Sequence, residues 1–469
     1  GAIYNDGTIG DITGDFIGNY VSSSSSSYYS DGGAIRNDGT IGNITGDFIG
    51  NYVSSSSEGG AIYNDGTIGD ITGDFIGNYS SSSTGSMGGA IFNAGKIGNI
   101  SGDFIGNYSS SSSSSSTGSM GGAIMNMVTI GEITGSFINN KAESTSGIAL
   151  GGAILSMSPI TLSANNSHSL ISGNRTISNG KTEQNAIAMY GFYVTDDDAA
   201  QLGLSSGGFI SLSSMTGSGA PDVLDKNAAS LTLKAENNGT ITINDTIRGG
   251  AIDYMGFQNS QGSLTNDMLL ESAEFAYDLK LTGDQSGKIY LNNDIINANI
   301  TLDNTNLYLG RENVFDNSQS LTLNSGSVYL NNNSIGTMHI PTLNLNGNVN
   351  LSVDVDLAGQ KMDRITANSY NIKENANLNV QSLNLLNDAT QDSTTILFAD
   401  KEYAQNVQYT GSNPIAYSPI YKYDVSYNPE DGFFSFIRGG ASSSSNPSDS
   451  FNPAALTSPV TTQAGAYST

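Results

Sequence analysis

Gly33-Ala34-Ile35-Arg36-Asn37-Asp38-Gly39-Thr40-Ile41-Gly42-Asn43-Ile44-Thr45-Gly46-Asp47-Phe48-Ile49-Gly50-Asn51-Tyr52 is the best copy of a unit that the chain repeats five times. A matching run covers residues 60–79, other copies begin at Gly1, Gly89 and Gly122, and a sixth opening motif stands at Gly151. Within a copy the apolar spacing is fixed: Ile3, Ile9, Ile12 and Phe16 become Ile35, Ile41, Ile44 and Phe48. From copy to copy the period varies between 27 and 33 residues, always after the last strand, in a segment that is serine-rich in most copies. Constant core spacing with length change at one point describes a coil with an insertion at one corner. About 20 residues is too short for a βαβ unit, which needs roughly 30 or more. The unit therefore predicts one turn of a parallel β-helix with three short strands. These are Gly-Ala-Ile-Tyr-Asn, the stretch around Ile9 and Ile12, and Asp-Phe-Ile-Gly-Asn, with Asp6-Gly7, Asp38-Gly39 and Asp65-Gly66 as turns.

Stacked coils place equivalent residues about 4.8 Å apart, so Ile and Phe form internal columns. Asn5, Asn37, Asn64, Asn93 and Asn126 share the inward parity of the Ile two residues before, and are expected to form a corner ladder of amides. Ile17, Ile49, Ile76, Ile105 and Ile138 each follow an inward Phe. Strand alternation turns them outward as a candidate contact column, whereas a bend at the corner would bury them.

Beyond the regular repeats of residues 1–154, the units degenerate over residues 155–400 into alternating runs such as Leu231-Thr232-Leu233, with longer excursions near Asp196-Asp197-Asp198 and Gly217-Ser218-Gly219-Ala220-Pro221. Residues 401–438 hold an aromatic hairpin from Tyr421 to Phe436, expected to cap an open solenoid end. Residues 439–469, rich in Ser, Pro and Asn, form a linker. The expected fold is an all-β, elongated, right-handed parallel β-helix with a C-terminal hairpin cap.

Of 469 residues, 37% are hydrophobic and 13% charged, which supports a continuous core under a neutral-polar surface. The net charge of −26 repels phosphate backbones and anionic lipid, so nucleic-acid and membrane-surface binding are not expected. No stretch approaches the roughly 20 apolar residues of a membrane span. The absence of cysteine removes disulfide and thiol chemistry. The first residues already lie inside a repeat without a signal segment, so a fragment or processed form is expected.

Gly-Gly-Ala-Ile stands at Gly32, Gly59, Gly88, Gly121, Gly151 and Gly249, and Phe-x-x-Asn at Phe16, Phe48, Phe75, Phe104 and Phe137. This alternation, over about the first third of the chain, resembles the polymorphic outer-membrane proteins, a family of autotransporter adhesins. The stretch from Val353 to the Tyr421 hairpin looks like the end of an autotransporter passenger, and Asn452-Pro453-Ala454-Ala455-Leu456 like the approach to a translocator β-barrel. The resemblance implies an exported β-helical passenger on the cell surface. It implies an adhesive or structural role, with a host glycan, a host protein or another copy as partner, and a translocator barrel C-terminal to this segment. The cysteine of some members is missing, and the serine runs are a second departure.

Weighed against this reading, Gly203-Leu204-Ser205-Ser206-Gly207 matches a nucleophile elbow, but no helix signal follows it. His168 and His339 lack companions for a zinc site or a triad. Asp15, Asp47, Asp74 and Asp103 form a like-charged column, with Asp11 and Asp70 in a second. Calcium would suit such oxygens, yet the short Gly-Asp repeat of calcium β-rolls is absent, and at about 4.8 Å in water each pair costs only about 1 kcal/mol. The serine tracts Ser22–Ser27, Ser54–Ser57, Ser80–Ser83 and Ser109–Ser116 read as loops, or as protruding, glycosylated contacts. No catalytic residue, cofactor or metal is assigned. The rivals are a β-helical polysaccharide-degrading enzyme and a calcium-dependent β-roll.

Overall fold

The computed structural model describes residues 1–22, 30–54, 57–83, 85–112, 118–210, 223–224, 226, 229–260, 264–411 and 415–439. The described residues divide into two compact units, those of Gly1–Asn306 with Asp316–Leu321, and those of Leu307–Phe315 with the described residues from Thr322 onward.

The first unit is a parallel β-helix whose coil carries six strands rather than the three expected. They are β1 (Ile3–Asn5), β2 (Thr8–Ile9), β3 (Ile12–Thr13), β4 (Phe16–Ile17), β5 (Tyr20–Ser22) and β6 (Ser30–Asp31). The middle strand splits because Ile9 and Ile12 are an odd number of residues apart, which alternation would send to opposite faces. A corner at Gly10-Asp11 lets both point inward, and in the next coil Ile41 and Ile44 are buried. Each strand pairs in register with its copy in the following coil: Ile3 with Ile35, Ile12 with Ile44, Phe16 with Phe48.

The stacking is visible in the rings. Phe16, Phe48, Phe75, Phe104 and Phe137 lie with centroids 4.7–4.9 Å apart and planes within 6°. This separation matches the strand spacing and offsets the rings rather than pressing them face on. The column continues as Ile171, Ile243 and Leu291.

The paired glycines of the opening motif have different tasks. Gly59 has φ +68°, and a Cβ there would stand 2.0 Å from the Ile62 carbonyl oxygen. At Gly60 a Cβ would instead strike the Gly89 carbonyl of the next coil at 2.0 Å. The first permits the turn and the second permits the coils to approach.

The expected amide ladder forms. Asn5 Nδ2 donates to Asn37 Oδ1 at 2.7 Å, and the relay passes through Asn64, Asn93 and Asn126 to Ser156 Oγ at 3.0 Å. A second ladder comes from the Phe-x-x-Asn asparagines, Asn19, Asn51, Asn78, Asn107, Asn140 and Asn174, linked at 2.9–3.0 Å. It ends on the buried carboxylate of Asp245.

Parts of the serine tracts are strand rather than loop. Tyr79–Ser82 and Tyr108–Ser111 pair in parallel, and Ser80, Ser109 and Ser111 are fully buried. The hydroxyls satisfy one another, Ser80 Oγ with Ser86 Oγ at 2.7 Å and Ser109 Oγ with Ser119 Oγ at 2.6 Å, as buried polar groups must. The remaining tract residues 23–27, 55–56 and 113–116 lie outside the described residues.

Residues 185–210, 246–260 and 264–270 build an apolar layer outside the β1 stack, including the helices α1 (Asp196–Ala199) and α2 (Tyr254–Asn259). The residue before each member of the first ladder changes accordingly: Tyr4 is exposed, Arg36 and Tyr63 half-buried, Phe92, Met125 and Leu155, which precedes Ser156, buried. The excursion expected at Gly217–Pro221 lies outside the described residues. No described helix is long and apolar enough to cross a membrane.

The second unit has long parallel strands of its own, Thr337–Leu345 on Arg364–Ile372 and Asn348–Asp356 on Asn377–Leu385. The aromatic hairpin is Lys422–Asn428 with Phe433–Arg438, antiparallel, extended by Ser393–Leu397 and Ile415–Tyr417. Tyr423, Phe434 and Phe436 are fully buried. Phe434 meets Tyr409, on the last parallel strand, edge-on at 5.6 Å, so the hairpin closes over that coil. Asp354 and Asp363 are buried together, and Asp363 Oδ2 accepts the Asp354 N–H at 2.7 Å. Burial, above the opposing backbone hydrogen bonds, pushes the Asp363 carboxyl up to about 7.

Candidate binding surface

Outside the core, the first unit repeats its side chains in single file. Ile17 is 63% exposed, and Ile49, Ile76, Ile105 and Ile138 are half-buried, paired in register through the β4 stack. Alternation decides their direction; no bend takes them inside.

Two residues before them stand Asp15, Asp47, Asp74 and Asp103, the first exposed and the others half-buried. Each Oδ1 accepts the backbone N–H of the equivalent residue in the next coil, at 3.0, 2.8, 2.8 and 2.7 Å, the last from Ser136. One oxygen of every carboxylate is thus spent on holding coils together. The second column alternates in charge, Asp11, Asn43, Asp70, Asn99, and uses the same bond at 2.7–2.9 Å. Among the described residues no group of three or more His, Cys, Asp or Glu side chains converges as a metal site would.

Beside these lies a column that sequence reasoning missed. Tyr20, Tyr52, Tyr79 and Tyr108 stack with centroids 4.9–5.1 Å apart, and Lys141 Nζ sits 3.8 Å from the Tyr108 ring centre. The Tyr108 hydroxyl donates to Glu143, which also takes Lys141 Nζ at 2.8 Å. The Tyr that follows the first four Phe-x-x-Asn motifs, replaced by Lys141 after the fifth, was the available signal.

Also missed was a charge cluster around Arg36. Its guanidinium reaches Asp31 at 2.5 Å and Asp38 at 3.1 Å, 4.7 Å above the Tyr63 ring. Glu58 is the register partner of Asp31. Burial pushes Asp31 up to about 6, against the pull of Arg36, and pushes Glu58 up to about 8, with Asp31 adding to it.

The other sequence candidates do not converge. His168 Nε2 and His339 Nδ1 are exposed and each pairs with one threonine hydroxyl, Thr242 and Thr366, at 3.1 Å. Gly203–Gly207 precedes a strand, Gly208–Ile210, not the helix a nucleophile elbow needs. Asp196, Asp197 and Asp198 form the first turn of α1, where Asp196 Oδ1 accepts the Gly207 N–H at 2.7 Å. Negative charge at a helix N-terminus is favourable in its own right.

The second unit holds a cavity of about 860 Å³ between the Arg364–Ile372 strand and the cap. Its floor is Tyr370, whose hydroxyl donates to Asp400 Oδ2 at 2.5 Å and accepts the Ala367 N–H at 2.8 Å. Arg364 Nη2 fixes the other Asp400 oxygen at 2.7 Å. Burial and then Asp400 push the Tyr370 phenol well above its ordinary range.

No known protein family, curated protein or solved structure matches the chain.

Proposed function

We propose that this chain is a non-catalytic, exported passenger of the autotransporter kind, displayed at the cell surface as an adhesin or structural protein. Its partners would be an extracellular glycan or protein, or further copies of itself. One observation carries the reading. The outward chemistry recurs with every coil, in columns of Ile, Asp and Tyr, so the same contact is offered many times. Repeated contact suits adhesion or self-association, whereas catalysis needs one convergent site. Joined to an autotransporter barrel in a Gram-negative host, the chain should reach the surface and cause adhesion or autoaggregation. Replacing Ile49, Ile76 and Ile105 by Ser should weaken it. A chain that reaches the surface yet neither adheres nor aggregates would refute the proposal. Release of reducing sugar ends from polysaccharide would favour the enzyme instead.

A further inference from the structure

We infer that the cavity over Tyr370 in the second unit binds a neutral or amine-bearing saccharide. This rests on the surface-binding reading and gives it a ligand class and a place. The volume of about 860 Å³ lies within the roughly 300–1,000 Å³ of small-ligand sites.

The floor is preorganised. Tyr370 is held at its hydroxyl by Asp400 and the Ala367 N–H, and one ring face lies against Tyr403 with centroids 5.2 Å apart. Asp400 is itself fixed by Arg364, whose Nε also donates to the Phe398 carbonyl at 3.1 Å. The half-buried ring therefore meets the cavity in one orientation, without rotamer entropy to lose on binding. Half-buried Phe433 and Leu397 add apolar wall. At the rim stand the exposed side chains of Asn368, Glu402 and Asp431.

A sugar ring has an apolar C–H side and an equator of hydroxyls that donate. Aromatic and aliphatic wall suits the first, and carboxylate and amide oxygens suit the second, since an ionised carboxylate can only accept. Charge selects further. Asp400 and Arg364 offset one another, which leaves Glu402 and Asp431 to face Lys401 alone. Sialylated or sulfated sugars would meet repulsion there, while a hydroxyl or ammonium would not.

The test uses the full chain, with saturation-transfer NMR and calorimetry. The probes are a neutral hexose trisaccharide, a glucosamine trisaccharide, a sialylated trisaccharide and a lysine-rich decapeptide. The first two should bind and the sialylated one should not. Glu402→Ala with Asp431→Asn, which removes both charges but keeps the Oδ1 that accepts the Phe433 N–H, should weaken binding about tenfold or more while leaving the melting curve in place. Tyr370→Phe, which frees the ring but keeps its stacking, should weaken it less. Preference for the sialylated sugar or the peptide, unchanged affinity in the rim variant, or no saccharide binding would each overturn the inference. Adhesion of the displayed rim variant separates the two claims. Lost saccharide binding with retained adhesion leaves the surface function standing on the coil columns. Retained saccharide binding without adhesion or aggregation refutes the surface function alone.

Discussion

Asn174 donates to one oxygen of Asp245 twice, from its backbone N–H and from its Nδ2, both at 2.9 Å. Every rung above does the same to the next asparagine, so hydrogen bonds in this ladder all point one way. The last member has to accept and has nothing below it in the ladder to donate to. A carboxylate meets that requirement and an amide does not. Burial raises the Asp245 carboxyl, and the bonds from Asn174 and Gly173 oppose it.

Asp245→Ala should therefore cost about 2–5 kcal/mol, since it strands buried donors. Asp245→Asn, which keeps one acceptor but buries an unpaired N–H, should cost about 1–3 kcal/mol. Asn19→Ala, at the opposite end, should cost less than Asp245→Ala. Urea unfolding of the three variants checks the order.

Phe75 lies between Phe48 and Phe104 at 4.8 and 4.7 Å and is fully buried. Phe75→Ala should lose about 3–5 kcal/mol. Its neighbour Ile76 faces outward, and Ile76→Thr should cost less than about 1 kcal/mol. Equal losses would contradict the coil register.

Gly59 and Gly77 have similar φ, +68° and +61°, but a Cβ on Gly77 would meet open space. Gly77→Ala should cost about 1–2 kcal/mol, the left-handed penalty alone. Gly59→Ala should cost more, because the carbonyl of Ile62 must move. Gly77→Asn should be the mildest, as Asn139 already holds φ +57° at the equivalent place.

The raised carboxyls set a pH dependence. An acid whose folded pKa exceeds its unfolded value stabilises the fold fully below the unfolded value, and loses that contribution as pH rises through the folded one. Asp31 passes that point at about 6, Asp363 at about 7 and Glu58 at about 8. Urea midpoints should fall between about pH 5 and about pH 9. Glu58→Gln should flatten the upper part. Glu143 and Asp284 are lowered and act in the opposite sense, at more acidic pH. Midpoints rising with pH across the upper window would refute this.

Because each Asp of the outer column gives one oxygen to a backbone N–H, Asp74→Asn keeps the bond and removes two like-charge contacts of about 1 kcal/mol each. It should be neutral or stabilising, and EDTA should leave the melting curve unmoved. A melting point lowered by chelator would revive the calcium reading.

The coil, its Phe column and the first amide ladder were legible because repetition turns one residue type into a vertical stack. Position within the repeat then fixes direction. The split of the middle strand was legible too, in the odd spacing of Ile9 and Ile12, but needed the corner to be recognised. The buried serines were hidden by composition: Ser80 and Ser109 read as loop because nothing in a serine run says which hydroxyls face inward. The Tyr370 cavity was out of reach, since its walls come from strands about 30 and 60 residues apart that share no motif.

The spacing of 27 to 33 residues with an unchanged register has an evolutionary reading. Near-identical units invite unequal recombination, which adds or deletes whole coils at a stroke. A gained coil enters between neighbours that already fit it, and it extends every column by one member. The finishing residues, Ser156 and Asp245, stay where they are and do not record how many coils precede them. Copy number is therefore a quantity that heredity can change without redesigning the fold. The count of contacts presented at the surface would vary with it, in steps of one.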